Sequence, residues 1–318
     1  MQVEGRADDT CLGRDALHTQ LGEARAARQQ PLGRLKDLGV GGRPAVAPGG
    51  GTAGDRGHRA SLEVRPYACA RHHVSTHRLV HLDSPSCSRG DSNVTPQRPT
   101  LVLVPGAWHL PATFDLLRGE LDALGYASRA VKLPTTGPEP RGGLREDAEA
   151  IRTAVKAIEG PVVVVAHSYG GIPATEGLAG LTNVRHLVYL AAYVPDVNES
   201  MFTLHGMPDP DSTEGLFPIG SDPRAQLYAD VPDAVAERAI SQLVEQRLQP
   251  WADRATGAAW RTLPSTYILT ERDASLPVEL QEQMAVRATS TRRVPTGHSP
   301  FLARPAELAA LIDEIVKD

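Results

Sequence analysis

Ser168 stands in the segment 162–171, which reads Val-Val-Val-Val-Ala-His-Ser-Tyr-Gly-Gly. A buried strand, a sharp turn centred on the serine and a helix starting at the glycines would expose the hydroxyl at the strand end. Such a turn needs small residues two positions before and after the serine, and Ala166 and Gly170 are small. The pattern predicts that Ser168 is a nucleophile; the alternative is an ordinary Ser-Tyr-Gly-Gly loop.

A serine hydroxyl is a weak nucleophile until a neighbouring base takes its proton. Three histidines follow Ser168 in the chain: His186, His205 and His298. His298 lies in the loop Thr-Gly-His-Ser-Pro at 296–300, between the last predicted strand and the final helix, where it could reach the end of the sheet. His298 is therefore the predicted base. His186 would begin a strand and pack or lie at the surface, and His205 could touch substrate.

An acid must fix the tautomer of the base and stabilise its positive charge. Asp273 follows the predicted strand at 265–270 and gives the chain order Ser168, Asp273, His298, which is the order found after such a serine turn. Glu271 is the nearest rival and Asp196 a weaker one. Asp273 could instead be a helix N-terminal acid.

Backbone N–H groups must also stabilise the oxyanion that forms when the serine attacks. The N–H of Tyr169, directly after the nucleophile, is one predicted donor. The N–H of Ala107, in the loop after the first strand, is the other. Trp108 and His109 would line the substrate pocket or brace this loop, and His205 is a further pocket candidate.

The elements that would position these residues alternate between strands and helices from residue 99 onward. The fold class is therefore α/β, with a mostly parallel, doubly wound sheet covered by helices on both faces. Residues 196–262 interrupt the alternation and are predicted to form a helical lid, hereafter the lid segment. Strands are expected at 100–104, 128–133, 161–166, 185–191, 265–270 and 291–294, and helices at 112–124, 144–158, after 171, at 232–247 and 251–261 in the lid segment, at 277–288 and at 305–316.

The chain divides near residue 98 into two kinds of sequence. Residues 1–98 hold 14 Lys and Arg against 10 Asp and Glu, whereas 99–318 hold the remaining 19 and 28, giving net charges of about +4 and −9. Residues 1–98 are expected to be a poorly ordered Gly- and Arg-rich extension, with the natural start near Val94, and 99–318 to be the catalytic domain.

Residues from about 97 to 318 resemble the α/β-hydrolase superfamily, in particular the compact branch of plant methyl esterases, hydroxynitrile lyases and bacterial pyrethroid-hydrolase-like esterases. Members begin with a strand and a Gly-Ala oxyanion loop, and carry the triad acid four residues before a proline, as Asp273 stands to Pro277. The esterase loop commonly begins His-Gly, where this chain has Pro105-Gly106. Lyases carry threonine where this chain has Gly106 and lysine where it has Ala274, so the resemblance implies hydrolysis.

The predicted function is that of a serine hydrolase that cleaves a small carboxylic ester through an acyl-enzyme. Because neither fold nor triad fixes the bond that is cleaved, an amide, a lactone or a carbon–carbon bond remains an alternative. A ligand-binding receptor with little turnover is an alternative of another class.

Composition limits the partners. A net charge of −5 gives no reason to expect nucleic acid, and no apolar run is long enough for a membrane span. The absence of a secretory signal pattern predicts a cytoplasmic protein. No cofactor or metal is expected, because neither the histidines nor the cysteines have metal-ligand spacing. Oligomeric state is not indicated.

Overall fold

The computed structural model describes residues 97–318. The expected N-terminal extension and the start near Val94 fall outside the described residues, and both stay predictions.

Six parallel strands form one sheet in the order β2-β1-β3-β4-β5-β6, which confirms the predicted sheet. The two strands in the middle are β3, which is apolar from Val162 to Ala166, and β4, which is apolar and buried from Leu187 to Leu190, as expected when helices cover both faces. The strands are β1 Thr100–Val104, β2 Ser128–Ala130, β3 Val162–His167, β4 Val184–Leu190, β5 Ser265–Thr270 and β6 Ser290–Val294.

The apolar side chains of the strands divide into two layers because successive residues point to opposite faces of a sheet. Val162 and Val164 of β3 belong to one cluster of buried residues, and Val163 and Val165 belong to the other. The sheet is therefore covered on both faces, which confirms the doubly wound fold.

Helices α1 to α3 lie between β1 and β4, and α8 to α10 follow β5. The amphipathic pattern of α2 explains its packing, because Leu144, Ala148, Ile151 and Val155 recur at helical spacing and are buried. The helices are α1 Asp115–Ala123, α2 Leu144–Lys156, α3 Gly171–Gly177, α4 Met201–Leu204, α5 Pro223–Leu227, α6 Asp233–Ser241, α7 Gln249–Ala252, α8 Val278–Ala285, α9 Pro300–Ala303 and α10 Pro305–Lys317.

The lid segment lies between β4 and β5 and is less helical than the sequence predicts. The helix expected at 232–247 is α6, which ends at Ser241, because residues 245–247 leave the helix to pair with the loop after β2. The helix expected at 251–261 is wrong: α7 ends at Ala252 and only a 3₁₀ turn, Ala259–Arg261, follows. Strand β2 is also shorter than expected.

Within residues 97–318, no helix combines the length and the apolar character needed to cross a bilayer.

Candidate active site

Ser168 lies at the junction of β3 and α3, in a short 3₁₀ turn, Ser168–Gly170. Its backbone has φ +53, a left-handed conformation that is costly for a residue with a side chain and that points to a functional constraint. A methyl group at Gly170 would lie 2.5 Å from the carbonyl oxygen of Pro105, so the turn can pass this close to the β1 loop only with glycine there. The side chain of Ser168 is thereby fixed at the carboxyl edge of the sheet.

His298 and Asp273 form a buried pair at the same edge. The Nδ1–H of His298 donates to Oδ2 of Asp273 at 2.8 Å. Asp273 follows β5 and His298 follows β6, so two neighbouring strands bring together residues 25 positions apart. The structure thus joins the acid and base that the sequence predicts.

The Asp273 carboxylate is held by further donors on both oxygens. The backbone N–H groups of Ser275 and Leu276 each donate to Oδ1 at 2.8 Å. The hydroxyl of Thr270 and the amide of Gln281 donate to Oδ2 at 2.8 and 3.2 Å. This network fixes the direction in which the carboxylate faces His298.

His167, the residue before Ser168, contacts the backbone of His298. Its Nε2 lies 2.9 Å from the carbonyl oxygen of His298, so Nε2 carries the proton and donates it. Burial lowers the pKa of His167 well below its usual value, so the ring is neutral. Its Nδ1 is then an acceptor, and it is buried with no hydrogen-bond partner among residues 97–318.

The rival residues from the sequence lie in other surroundings. Glu271 is exposed, and Asp196 pairs with Arg261 near the surface. His186 bonds the Thr266 hydroxyl at 2.8 Å on the neighbouring strand. None of these three candidates joins the hydrogen-bond network of Asp273.

The loop after β1 contains Ala107, whose buried N–H donates no hydrogen bond within residues 97–318. Tyr169 lies in the first turn after Ser168, where a backbone N–H has no acceptor inside the turn. Ala107 and Tyr169 are both buried, so their backbone N–H groups stay candidate donors for an oxyanion.

His109 supports this loop from behind. Its Nδ1 lies 2.5 Å from the carbonyl oxygen of Ala107, and its Nε2 lies 2.6 Å from the Tyr228 hydroxyl. Because the carbonyl can only accept, Nδ1 donates and Nε2 accepts from Tyr228. Burial lowers the pKa of His109 to about 4, so the ring is neutral near pH 7. The structure therefore places His109 against the carbonyl of the β1 loop, and it adds Tyr228, which the sequence analysis missed.

Aromatic rings of the lid segment cover the turn. Trp251 packs against Tyr169 and Phe217 with ring centroids 4.8 and 4.5 Å apart. Trp108 stacks on Phe217 at 5.8 Å and donates its indole N–H to the Phe217 carbonyl at 3.0 Å. Trp108 thus joins the β1 loop to the lid segment. His205, the third pocket candidate, lies 2.9 Å from the Tyr193 hydroxyl.

Asp147 is a buried carboxylate that the sequence analysis missed. It lies on α2, and its Oδ2 accepts from the hydroxyls of Tyr169 and Thr135 at 2.6 and 2.5 Å. Burial raises the pKa of Asp147 to about 6. An acidic residue on an amphipathic helix ordinarily lies in water, so the sequence carries no signal for this contact beyond the helix position.

A cavity of about 570 Å³ lies beside His109, between α6 and the segment 110–116. Its lining is mainly apolar, and Ser168 is not part of it. The cavity therefore borders the β1 loop rather than the serine turn. In the same described range, no group of three or more His, Cys, Asp or Glu residues is placed to hold a metal ion.

Comparison with known proteins identifies the family. Residues 101–311 match the model of the alpha/beta hydrolase family, so the chain belongs to that family. The resemblance inferred from the serine turn and its partners is confirmed.

Relatives extend the comparison over the same part of the chain. The chain is similar to the alpha/beta hydrolase nvfD of Aspergillus novofumigatus, with 33% identity over 238 residues, 68% of this chain and 95% of the relative. A pyrethroid hydrolase from Sphingobium faniae JZ-2 shares the fold with a TM-score of 0.58 and 21% identity, covering 69% of this chain and 97% of that one. A methylesterase from Arabidopsis does so at 0.58 and 20%, covering 69% and 99%.

Proposed function

We propose that the protein is a serine hydrolase that cleaves a small carboxylic ester, with Ser168 as nucleophile, His298 as base and Asp273 as acid. The observation that carries the proposal is the buried hydrogen bond between His298 and Asp273, at the sheet edge where Ser168 adopts a positive φ. A base held by a buried carboxylate and a serine in a strained turn at the same sheet edge are components that acyl transfer requires.

In the first half of the reaction, His298 accepts the proton of the Ser168 hydroxyl while the oxygen attacks the ester carbonyl. The N–H groups of Ala107 and Tyr169 stabilise the negative charge on the carbonyl oxygen. The carbon–oxygen bond of the ester then breaks, the alcohol leaves with the proton held by His298, and the acyl group stays on Ser168.

In the second half, His298 takes a proton from water, whose oxygen attacks the acyl-enzyme. The resulting carboxylic acid leaves and the proton returns to Ser168. Asp273 does not change protonation in this cycle; its carboxylate orients His298 and stabilises its positive charge. No cofactor is needed, because every proton and electron pair is accounted for by the three side chains and water.

The choice of an ester rests on the relatives and on the space around Gly106. The methylesterase that shares the fold acts, by its name, on esters. A side chain at Gly106 would start 2.9 Å from Nδ1 of His167, so the lyase-type threonine has no room. The Gly106 geometry therefore supports hydrolysis over cyanohydrin cleavage. Amide, lactone and carbon–carbon substrates are the alternatives with the same triad.

The test is labelling with a fluorophosphonate probe, which reacts with activated serines, on wild type, Ser168→Ala and the matched control Ser241→Ala. Ser241 is an exposed serine at the end of α6. We expect labelling of wild type and of the control but not of Ser168→Ala. Hydrolysis of p-nitrophenyl esters of increasing acyl length should fall by about 10⁴- to 10⁶-fold in Ser168→Ala.

Folded wild-type protein that neither takes up the probe nor hydrolyses any ester of the series would contradict the proposal. Tight ligand binding with negligible turnover would then favour the receptor alternative. Labelling of Ser168 without hydrolysis of any ester would support Ser168 as the nucleophile but contradict an ester substrate. The substrate would then be an amide, a lactone or a compound with a cleavable carbon–carbon bond.

A further inference from the structure

We propose that Asp147 is a positioning residue, which fixes Tyr169 next to the nucleophile and fastens residues 245–247 of the lid segment to the serine turn. This inference rests on the proposed function insofar as the Tyr169 N–H serves the oxyanion.

The first step is the way Asp147 holds Tyr169. Asp147 is fully buried on the first turn of α2, and its Oδ2 accepts the Tyr169 hydroxyl at 2.6 Å. The backbone of Tyr169 is fixed at its other end, because Ser168 adopts a constrained turn and its carbonyl accepts the N–H of Tyr193 at 3.1 Å. The side chain of Tyr169 is therefore anchored at its tip as well as at its backbone.

The second step leads from Asp147 to the lid segment through Thr135. The backbone N–H of Thr135 donates to Oδ1 of Asp147 at 3.0 Å, and its hydroxyl donates to Oδ2 at 2.5 Å. The same hydroxyl accepts the Gln246 amide at 3.0 Å. A continuous chain of hydrogen bonds thus runs from Gln246 through Thr135 and Asp147 to Tyr169.

Backbone pairing reinforces this connection. The N–H of Arg247 donates to the Thr135 carbonyl at 3.0 Å, and the N–H of Gly137 donates to the Glu245 carbonyl at 2.9 Å. The backbone carbonyl of Gln246 also accepts the N–H of Phe217 at 2.8 Å. The hydrogen-bond network therefore extends to Phe217, which packs on Trp251. Residues 245–247 therefore bond Phe217 on one side and are connected to Asp147 through Thr135 on the other.

The chemistry of the network indicates positioning rather than simple core packing. Burial of a carboxylate is costly unless donors compensate it, and an apolar residue of similar size would cost less. Within the described range, the donors to Asp147 are neutral, and no Lys, Arg or His forms an ion pair with it. The Oδ2 atom of Asp147 is a single acceptor that the hydroxyls of Tyr169 and Thr135 share.

The kinetic test compares Tyr169→Phe and Asp147→Asn with the control Tyr189→Phe. Tyr189 is equally buried and bonds Thr175 at 2.7 Å, so its variant also loses one buried hydrogen bond. We expect Tyr169→Phe and Asp147→Asn to lower kcat on a p-nitrophenyl ester about tenfold, a fraction of what a lost oxyanion donor costs, with KM changed less than about twofold.

A double-mutant cycle with both substitutions should give about the same loss as either alone, because both break the same contact. Asp147→Ala should lower kcat further than Asp147→Asn, because the amide oxygen of Asn can still accept the backbone N–H of Thr135. Tyr189→Phe should leave kcat unchanged although its melting temperature falls. Unchanged kcat in Tyr169→Phe, together with loss of activity in Ser168→Ala, would overturn the positioning role and leave the proposed function intact.

The connection to the lid segment is measured by hydrogen exchange, which does not depend on activity. Asp147→Asn and Gln246→Leu should speed exchange at residues 135–137 and 245–247 at least about tenfold, with little change in β3. If wild type proved inactive, the proposed function would be wrong. Hydrogen exchange alone would then test the connection between Asp147 and the lid segment. Equal exchange in both variants and wild type would overturn the connection.

Discussion

His167 donates its Nε2–H to the carbonyl oxygen of His298 at 2.9 Å, so the residue before Ser168 holds the backbone of the residue that faces Asp273. The rings of the two histidines pack with centroids 4.7 Å apart. Both rings have one fixed orientation, because each has a hydrogen bond that determines which nitrogen carries the proton.

The first prediction concerns this contact. His167→Phe keeps an aromatic ring beside Phe301 but removes the donor, leaving the carbonyl of His298 buried without a partner. We expect kcat to fall about tenfold and the free energy of unfolding to fall by about 1–3 kcal/mol. Steady-state kinetics and urea denaturation measure the two effects. His186→Phe, a matched change on β4, should keep kcat; equal kinetics in both variants would contradict the role of His167.

The second prediction concerns the close approach at Gly106. In Gly106→Ala the added methyl would lie 3.0 Å from Cβ of Ser168 and 2.9 Å from Nδ1 of His167, so the serine turn must shift. We expect kcat/KM to fall about 100-fold, because a displacement near 1 Å lowers the rate by this factor where reacting groups must be precisely oriented. Gly119→Ala, in open space on α1, should retain activity and gain about 1 kcal/mol of stability. A fully active Gly106→Ala enzyme would be inconsistent with this crowding.

The third prediction concerns Asp273. Asp273→Asn replaces Oδ2, or Oδ1, by an amide nitrogen that cannot accept from its present donors, so His298 loses its preferred tautomer. We expect kcat to fall about 10³- to 10⁴-fold at pH 7. The exposed Glu271→Gln variant is the control and should remain active. If Glu271→Gln lost activity and Asp273→Asn did not, the assignment of the acid would have to be exchanged.

The fourth prediction concerns the pH dependence of stability. Burial raises the pKa of Asp147 from 3.8 to about 6, so between these values the folded state holds the proton more often than the unfolded state. Stability must then decrease as pH rises through this range. Urea denaturation from pH 4 to pH 7 should show wild type losing about 2 kcal/mol relative to Asp147→Asn, mostly below pH 6.

His109 changes the pH dependence of stability in the opposite direction. Because burial lowers its pKa from 6.5 to about 4, the stability that its neutral ring contributes is lost as the pH falls below 6.5. This contribution is present in both proteins and cancels in their difference. A difference between wild type and Asp147→Asn that is constant from pH 4 to pH 7 would show that Asp147 keeps an ordinary pKa.

The strands were predictable because their signal is local. The run 162–166 is apolar throughout, the run 265–270 is rich in β-branched and aromatic residues, and a Pro residue precedes each of them. The nucleophile, acid and base candidates were found for the same reason, since each directly follows a strand end in a characteristic short motif.

The lid segment and the bracing residues depend on contacts that are distant in sequence. Asp253 appears in the sequence as part of a helix, yet its carboxylate accepts the N–H of Leu144 at 2.9 Å and its backbone is extended. Tyr228 and Asp147 appear as ordinary lid and helix residues, and their positions become meaningful only when His109 and Tyr169 are placed beside them. No periodic pattern encodes such pairs.

The placement of His298 after the edge strand β6 has a consequence for biosynthesis. The hydrogen bond between His167 and His298 spans 131 positions, and β6 pairs with β5 alone. A chain emerging from the ribosome can therefore form the central strands and the serine turn before His298 reaches them. Because such distant contacts form late, we expect the proposed triad to be completed only after β6 has paired with β5. If His298 is the base, as proposed, fraying of β6 would then abolish hydrolysis while most of the sheet is still folded.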